Sequence, residues 1–167
     1  MSEARRVLNA TCFVIAMTAC GGSAISACIS QRDRQAYEVY ALRTEALVGA
    51  QSCRMTDRFN VFATKFGREL TVEGRELRSY YLKTYGKGGD KALDEFVTQI
   101  ANNSFVEGSG TGDLCAATTA LFDNVMALPV GDLAAFSKQH KPRGLPAMDY
   151  CEAPTRTATS AVKVKLP

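Results

Sequence analysis

Six cysteines and one histidine have the widest chemical repertoire in this 167-residue chain, and their spacing decides what they can do. The cysteines stand at 12, 20, 28, 53, 115 and 151, and the histidine is His140. Zinc sites and redox dithiols use cysteines two residues apart, and c-type haem attachment needs a histidine directly after such a pair. None of these cysteines has a neighbour at that spacing, so no metal and no cofactor is expected. Histidine is the side-chain type whose charge changes near neutrality, which suits it to general acid–base work in a small hydrolase or transferase. His140 sits in Lys138-Gln139-His140-Lys141-Pro142, where a helix ends, and that position also suits a solvated imidazole beside the helix C-terminus.

Carboxylates offer a second chemistry. Asp90 and Asp94, with Glu95, lie one helical turn apart and could act as an acid–base pair or hold a hard cation. No calcium-loop spacing surrounds them, and Asp90 is equally placed to cap a helix. The run Gly108-Ser109-Gly110-Thr111-Gly112 precedes a helix whose first amides could hold an anion, but it lacks the Lys-Ser/Thr of a phosphate loop and reads as an interhelical connection. Tyr80, Tyr81 and Tyr85 could stack a small ligand; their helical spacing fits core packing with one exposed ring. Arg68, Arg75, Arg78, Lys83, Lys87 and Lys91 are interspersed with Glu69, Glu73 and Glu76, the pattern of a solvated face.

The elements that must position these groups are helical. Ser30 caps a first helix with the stripe Val39, Leu42, Ala46, Ala50 and Cys53, which turns the Cys53 thiol toward the core. A second helix, about Thr56 to Glu69, carries Phe59, Phe62, Ala63 and Phe66 on one side. Thr71 starts a third that passes Leu77, Tyr80, Tyr81 and Tyr85 and ends at Gly86. After the turn Lys87-Gly88-Gly89, Asp90 caps a fourth helix that buries Leu93, Phe96, Val97, Ile100 and Ala101. A fifth runs through Leu114, Cys115, Leu121, Phe122, Val125 and Leu128 to Pro129, and a short sixth spans Asp132 to Gln139. No sustained two-residue alternation argues for a sheet, so the expected fold is all-α, an irregular bundle of five or six short helices.

The N-terminus bears on compartment. Arg5 and Arg6 precede an apolar run from Val7 to Ala19. A helix of about 13 residues rises about 20 Å, short of the roughly 30 Å hydrocarbon core. A basic start, a short apolar middle and small residues make residues 1–27 an expected export signal. Gly22-Ser23-Ala24 or Ala24-Ile25-Ser26 would suit an ordinary signal peptidase. Met17-Thr18-Ala19-Cys20 with Gly21-Gly22-Ser23 reads instead as a lipobox, with Cys20 the lipidation site and Met17 departing from the usual Leu. Residues 28–151 form the expected domain, and the Thr/Ala/Ser-rich stretch 152–167 is expected to be mobile.

Either cut leaves Cys28, Cys53, Cys115 and Cys151 in an oxidising compartment, periplasmic or secreted. Four cysteines allow three pairings; Cys53 with Cys115 and Cys28 with Cys151 is preferred, joining two helices and the two chain ends. The formal charge is +3, with 20 basic and 17 acidic residues, which disfavours a nucleic-acid partner.

Leu42, Leu47-Val48, Ala50 and Cys53, then Arg58-Phe59-Asn60 with Phe62, Tyr85-Gly86, and Cys115 with Leu121-Phe122 and Val125 form a pattern over residues 28 to 128. It resembles a group of small exported or lipoprotein-like, cysteine-bridged helical proteins of proteobacteria with no assigned activity. The resemblance implies export, a Cys53 to Cys115 bridge and nothing catalytic. The resulting expectation is a non-enzymatic envelope protein that binds or scaffolds an unknown envelope protein, with possible membrane attachment through lipid. A hydrolase or transferase using His140 or Asp90/Asp94 and a small-ligand binder are the alternatives.

Overall fold

A computed structural model of the protein describes residues 28–110 and 113–151. The expected export signal, Cys20 and the 152–167 stretch lie outside the described residues. Among the described residues the fold is an all-α bundle of six helices: α1 (Gln31–Ser52), α2 (Thr56–Lys65), α3 (Gly67–Tyr85), α4 (Gly89–Gly110), α5 (Leu114–Ala127) and α6 (Leu133–His140), with a 3₁₀ turn at Gly86–Gly88. Among the described residues the only β contact is a parallel bridge between Ile29 and Tyr150.

Helix α1 is the axis. Ser30 accepts the amide of Asp33 at 3.2 Å, so the expected N-cap starts it. Its 22 residues extend about 33 Å, and every other helix packs against it. The single apolar stripe expected from the sequence is therefore too narrow: Val39, Leu42, Ala46 and Ala50 are buried, and so are Tyr37, Glu38, Ala41, Thr44 and Glu45 on other faces. A helix surrounded by partners must bury its polar side chains too, and each then needs a partner.

The core has two parts. Around the C-terminal half of α1, Phe62, Phe66, Phe122, Leu121, Val125 and Leu133 join Val39, Leu42, Ala46 and Ala50. Around its N-terminal half, Tyr37, Tyr81, Phe96, Leu77 and Ile100 pack with Ala36, Ala41 and Ile29. Helix α5 approaches α1 closely at Gly49, where a Cβ would stand 2.3 Å from Thr118 Oγ1.

Two disulfides close these halves. Cys53–Cys115 joins the end of α1 to the start of α5 across 62 positions, and Cys28–Cys151 joins the first and last described residues across 123. The pairing is the preferred one. The expectation that Cys53 faces the core is not met: it is the half-buried C-cap of α1, and Cys115 is exposed, because a crosslink between helix ends lies at the rim of the bundle. The second bridge is reinforced by the Ile29 amide to Asp149 O at 2.8 Å and the Cys151 amide to Ile29 O at 2.9 Å.

Four helix boundaries also differ from expectation. Helix α2 ends at Lys65, and α3 begins at Gly67 rather than Thr71, since fully buried Phe66 must sit at the bend to reach the core. Helix α4 starts at Gly89, so Asp90 occupies its first turn and is not its N-cap. The glycine permits that start: a Cβ there would lie 2.8 Å from the backbone of Leu82 and Tyr81 in α3. Finally, α4 continues through Gly108, Ser109 and Gly110, which the sequence reads as loop. Packing explains it, because a Cβ on Gly108 would meet Leu114 Cδ1 at 2.4 Å.

Candidate functional site

The polar side chains that α1 buries converge on α6 and on the strap of residues 141–151 that returns to the N-terminus. Glu45 is the centre of one cluster. Its Oε2 lies 2.9 Å from His140 Nε2 and 3.2 Å from the Arg143 amide, and its Oε1 lies 3.3 Å from Arg143 Nε. The His140 ring stacks on Phe136, with centroids 5.5 Å apart and planes 9° apart. His140 is thus half-buried and held, not the freely solvated imidazole expected at a helix end, because the fold brings a carboxylate 95 positions away against it. The carboxylate has both oxygens occupied and fixes the left-handed turn at Lys141, where φ is 54°.

Two turns earlier on the same helix, Glu38 accepts Arg34 Nε at 2.7 Å with its side chain only 8% exposed. The Arg34 guanidinium lies over the Tyr150 ring, 4.3 Å from the centroid. Glu38 and its electrostatic neighbour Arg34 flank Tyr150, whose phenol is pushed above its ordinary value, first by burial and then by the charge of Glu38. Gln31 donates to Cys151 O at 2.9 Å and completes this edge.

Arg34 and Glu38 separate two adjoining recesses. One, of about 490 Å³, lies between α1 and α6, where Ala134, Ala135 and Lys138 face Gln31 and Gln35. The other, of about 300 Å³, is floored by Leu145, Pro146, Met148 and Tyr150, with Lys141 at its edge. Concave, partly apolar surface with a few fixed polar groups is the usual form of a ligand site.

Away from this cleft the acidic residues tie helices together. Glu73 accepts Arg32 at 2.9 Å and Gln35 at 2.8 Å, and its second oxygen is buried without a hydrogen-bond partner. Glu69 accepts the amides of Gly131 at 2.9 Å and Leu133 at 3.2 Å, the role of an anion at the start of α6.

The remaining candidates fall elsewhere. Asp90 takes Arg78 in two hydrogen bonds of 2.8 and 3.0 Å, Glu95 pairs with Lys91 at 3.6 Å, and Asp94 is exposed on α4; the fold does not bring His140 to them. Tyr81 is buried against Tyr37, Tyr80 and Phe96, and Tyr85 stacks on it as the one exposed ring. Among the described residues no group of three or more His, Cys, Asp or Glu is arranged to hold a metal ion, and no helix is long and apolar enough to cross a membrane.

Sequence reasoning missed Arg34, Glu38, Glu45 and Arg143. A signal was present: Glu38 and Glu45 are seven residues apart in α1, a spacing that repeats on one helical face.

Fold and cleft together define a disulfide-stapled, all-α bundle with a polar seam along its central helix. Two disulfides of this kind belong to an oxidising compartment outside the cytosol. Comparison with known proteins adds no relative: no family model, no curated protein and no solved structure matches the chain.

Proposed function

We propose that this is an exported envelope protein, periplasmic or secreted, that works by binding or scaffolding rather than by turnover. Acylation of Cys20 would tether it to a membrane, with Gly21-Gly22-Ser23 as spacer. The observation that carries the reading is the pair of disulfides closing the bundle at both ends, the investment of a small domain that must keep a surface in shape outside the cell. The engagement of Glu45 by both His140 and Arg143 supports it, since a carboxylate shared with a guanidinium serves as a bracket.

Intact mass of the native protein, before and after reduction, is the test. The expected result is loss of residues up to 19 or to 24–27, acyl chains on Cys20 if the lipobox is used, and four thiols released by reduction. An uncleaved cytosolic chain with every cysteine free would overturn the reading.

One observation favours a second reading, a small hydrolase or transferase: His140 does meet a carboxylate, at 2.9 Å from Glu45. His140→Gln separates the two. Loss of a turnover with the melting temperature unchanged supports catalysis; a lower melting temperature with partner capture intact supports the bracket.

A further inference from the structure

The cleft beside α1 carries charge that the fold does not neutralise. Arg34, Lys138 and Lys141 line its two recesses, against the single carboxylate of Glu38. Glu38 occupies only the Nε of Arg34, and neither Nη group of that guanidinium makes a hydrogen bond to the described residues. Lys138 is exposed and joins no ion pair among them. A guanidinium clamped by a carboxylate on one edge and by an aromatic face beneath is already oriented, so a ligand that used its outer edge would give up little further freedom. The shape of that edge, two parallel N–H donors, matches the two oxygens of a carboxylate. Next to it the second recess is mainly apolar, with Leu145, Met148 and Tyr150.

We propose that this cleft binds an organic carboxylate carried on an apolar body, with the carboxylate on Arg34 and Lys138 and the apolar part over Leu145, Met148 and Tyr150. The inference deepens the binding reading given above and rests on it. Inorganic phosphate would satisfy the cations but leave the apolar recess unused. A neutral apolar molecule would leave the guanidinium edge without a partner. A peptide ending in apolar residues and a medium-chain fatty acid both carry the required chemistry.

The test uses the mature, oxidised protein and nuclear magnetic resonance titration that follows the Arg34 Nε–H and the amides of residues 145–151. The probes are N-acetyl-Leu-Leu, its C-terminal amide, decanoate, decanol and inorganic phosphate. Saturable shifts at Arg34 and the strap are expected for at least one carboxylate, and which of the two binds identifies the source. The matched amide or alcohol should bind at least tenfold more weakly, which is about 1.4 kcal/mol. Lys138→Gln, at an exposed position without an ion pair, should keep the fold and weaken carboxylate binding about 2- to 5-fold. Lys83→Gln, on the outer face of α3, should change nothing.

Shifts that are equal for acid and amide, phosphate binding as tight as the carboxylates, an unaffected Lys138→Gln variant, or no saturable shift for either carboxylate would each overturn the proposal. Such a result leaves the wider reading to its own test: a partner captured from envelope extract by both wild type and Lys138→Gln would keep binding or scaffolding while removing this cleft from it.

Discussion

The two ends of α1 are built from different aromatic residues, and the difference sets how each end is held. At the C-terminal end Phe62, Phe66 and Phe122 are fully buried, and these rings bring no hydroxyl of their own to satisfy. At the N-terminal end most of the rings are tyrosines: Tyr37 and Tyr81 are buried beside Phe96, with Tyr40, Tyr80 and Tyr150 packed around them. Each buried hydroxyl has to keep a partner, and burial pushes the Tyr81 phenol up to about 12 and that of Tyr37 higher still, with their mutual hydrogen bond as a further cause for Tyr37. The phenylalanine end therefore depends on packing density. The tyrosine end depends more on its closure by Cys28–Cys151 and the strap.

The sharpest way to break the comparison is Phe122→Ala. Removing a fully buried ring from the phenylalanine end should cost about 3–5 kcal/mol, read as a lower denaturant midpoint. Next in size is the double change Cys28→Ser with Cys151→Ser, expected to cost about 2–4 kcal/mol. Hydrogen exchange should then locate the damage: the Ile29 and Cys151 amides lose protection while amides around Phe62 and Phe122 keep theirs. Equal loss at both ends would refute the division.

Gly49→Ala tests the packing limit itself. Its new methyl would lie 2.3 Å from Thr118, so about 1–3 kcal/mol of stability should be lost. Gly74→Ala, with nothing within 4 Å of the added atom on α3, should instead stabilise by about 0.5–1 kcal/mol. Thermal melts of the pair should move in opposite directions.

Alkali acts on the other end, and the part that belongs to Tyr81 alone is comparable in size with the Gly74→Ala change. Unfolded tyrosines ionise near pH 10, whereas folded Tyr81 holds its proton to about 12, so its contribution is intact below pH 10 and is lost as pH rises toward 12. At pH 11 the loss from Tyr81 should be roughly 1 kcal/mol. Phenolate absorbance from Tyr81, followed at roughly 295 nm, should therefore rise only as the protein unfolds. A Tyr81→Phe variant should flatten that part of the pH profile; an unchanged profile would assign the effect elsewhere.

Much of the fold was legible because local signals agreed with the packing. Ser30 begins α1, Pro129 follows α5, and Gly86, at φ 56°, ends α3, each for a reason that its own few residues contain. Legibility failed where distant atoms intervened. Gly108 to Gly110 looks like a loop but stays helical beside Leu114. Asp90 looks like a cap but faces Arg78. For the candidate site the deficit was larger: His140 was visible as a lone titratable residue, but its partners Glu45 and Arg143, and the Arg34–Glu38 pair beside it, were not singled out.

Composition and periodicity alone determined the helical class, the amphipathic segments and the set of cysteines available for crosslinking, because helix propensity, apolar spacing and turn residues act over a few positions. Tertiary structure decided which polar groups of α1 became buried, that Glu45 would hold both His140 and Arg143, and that Arg34 would present a free edge above Tyr150. Those outcomes depend on residues about a hundred positions apart meeting on one helix. Desolvation is imposed by whatever packs opposite, and no local pattern records what that will be.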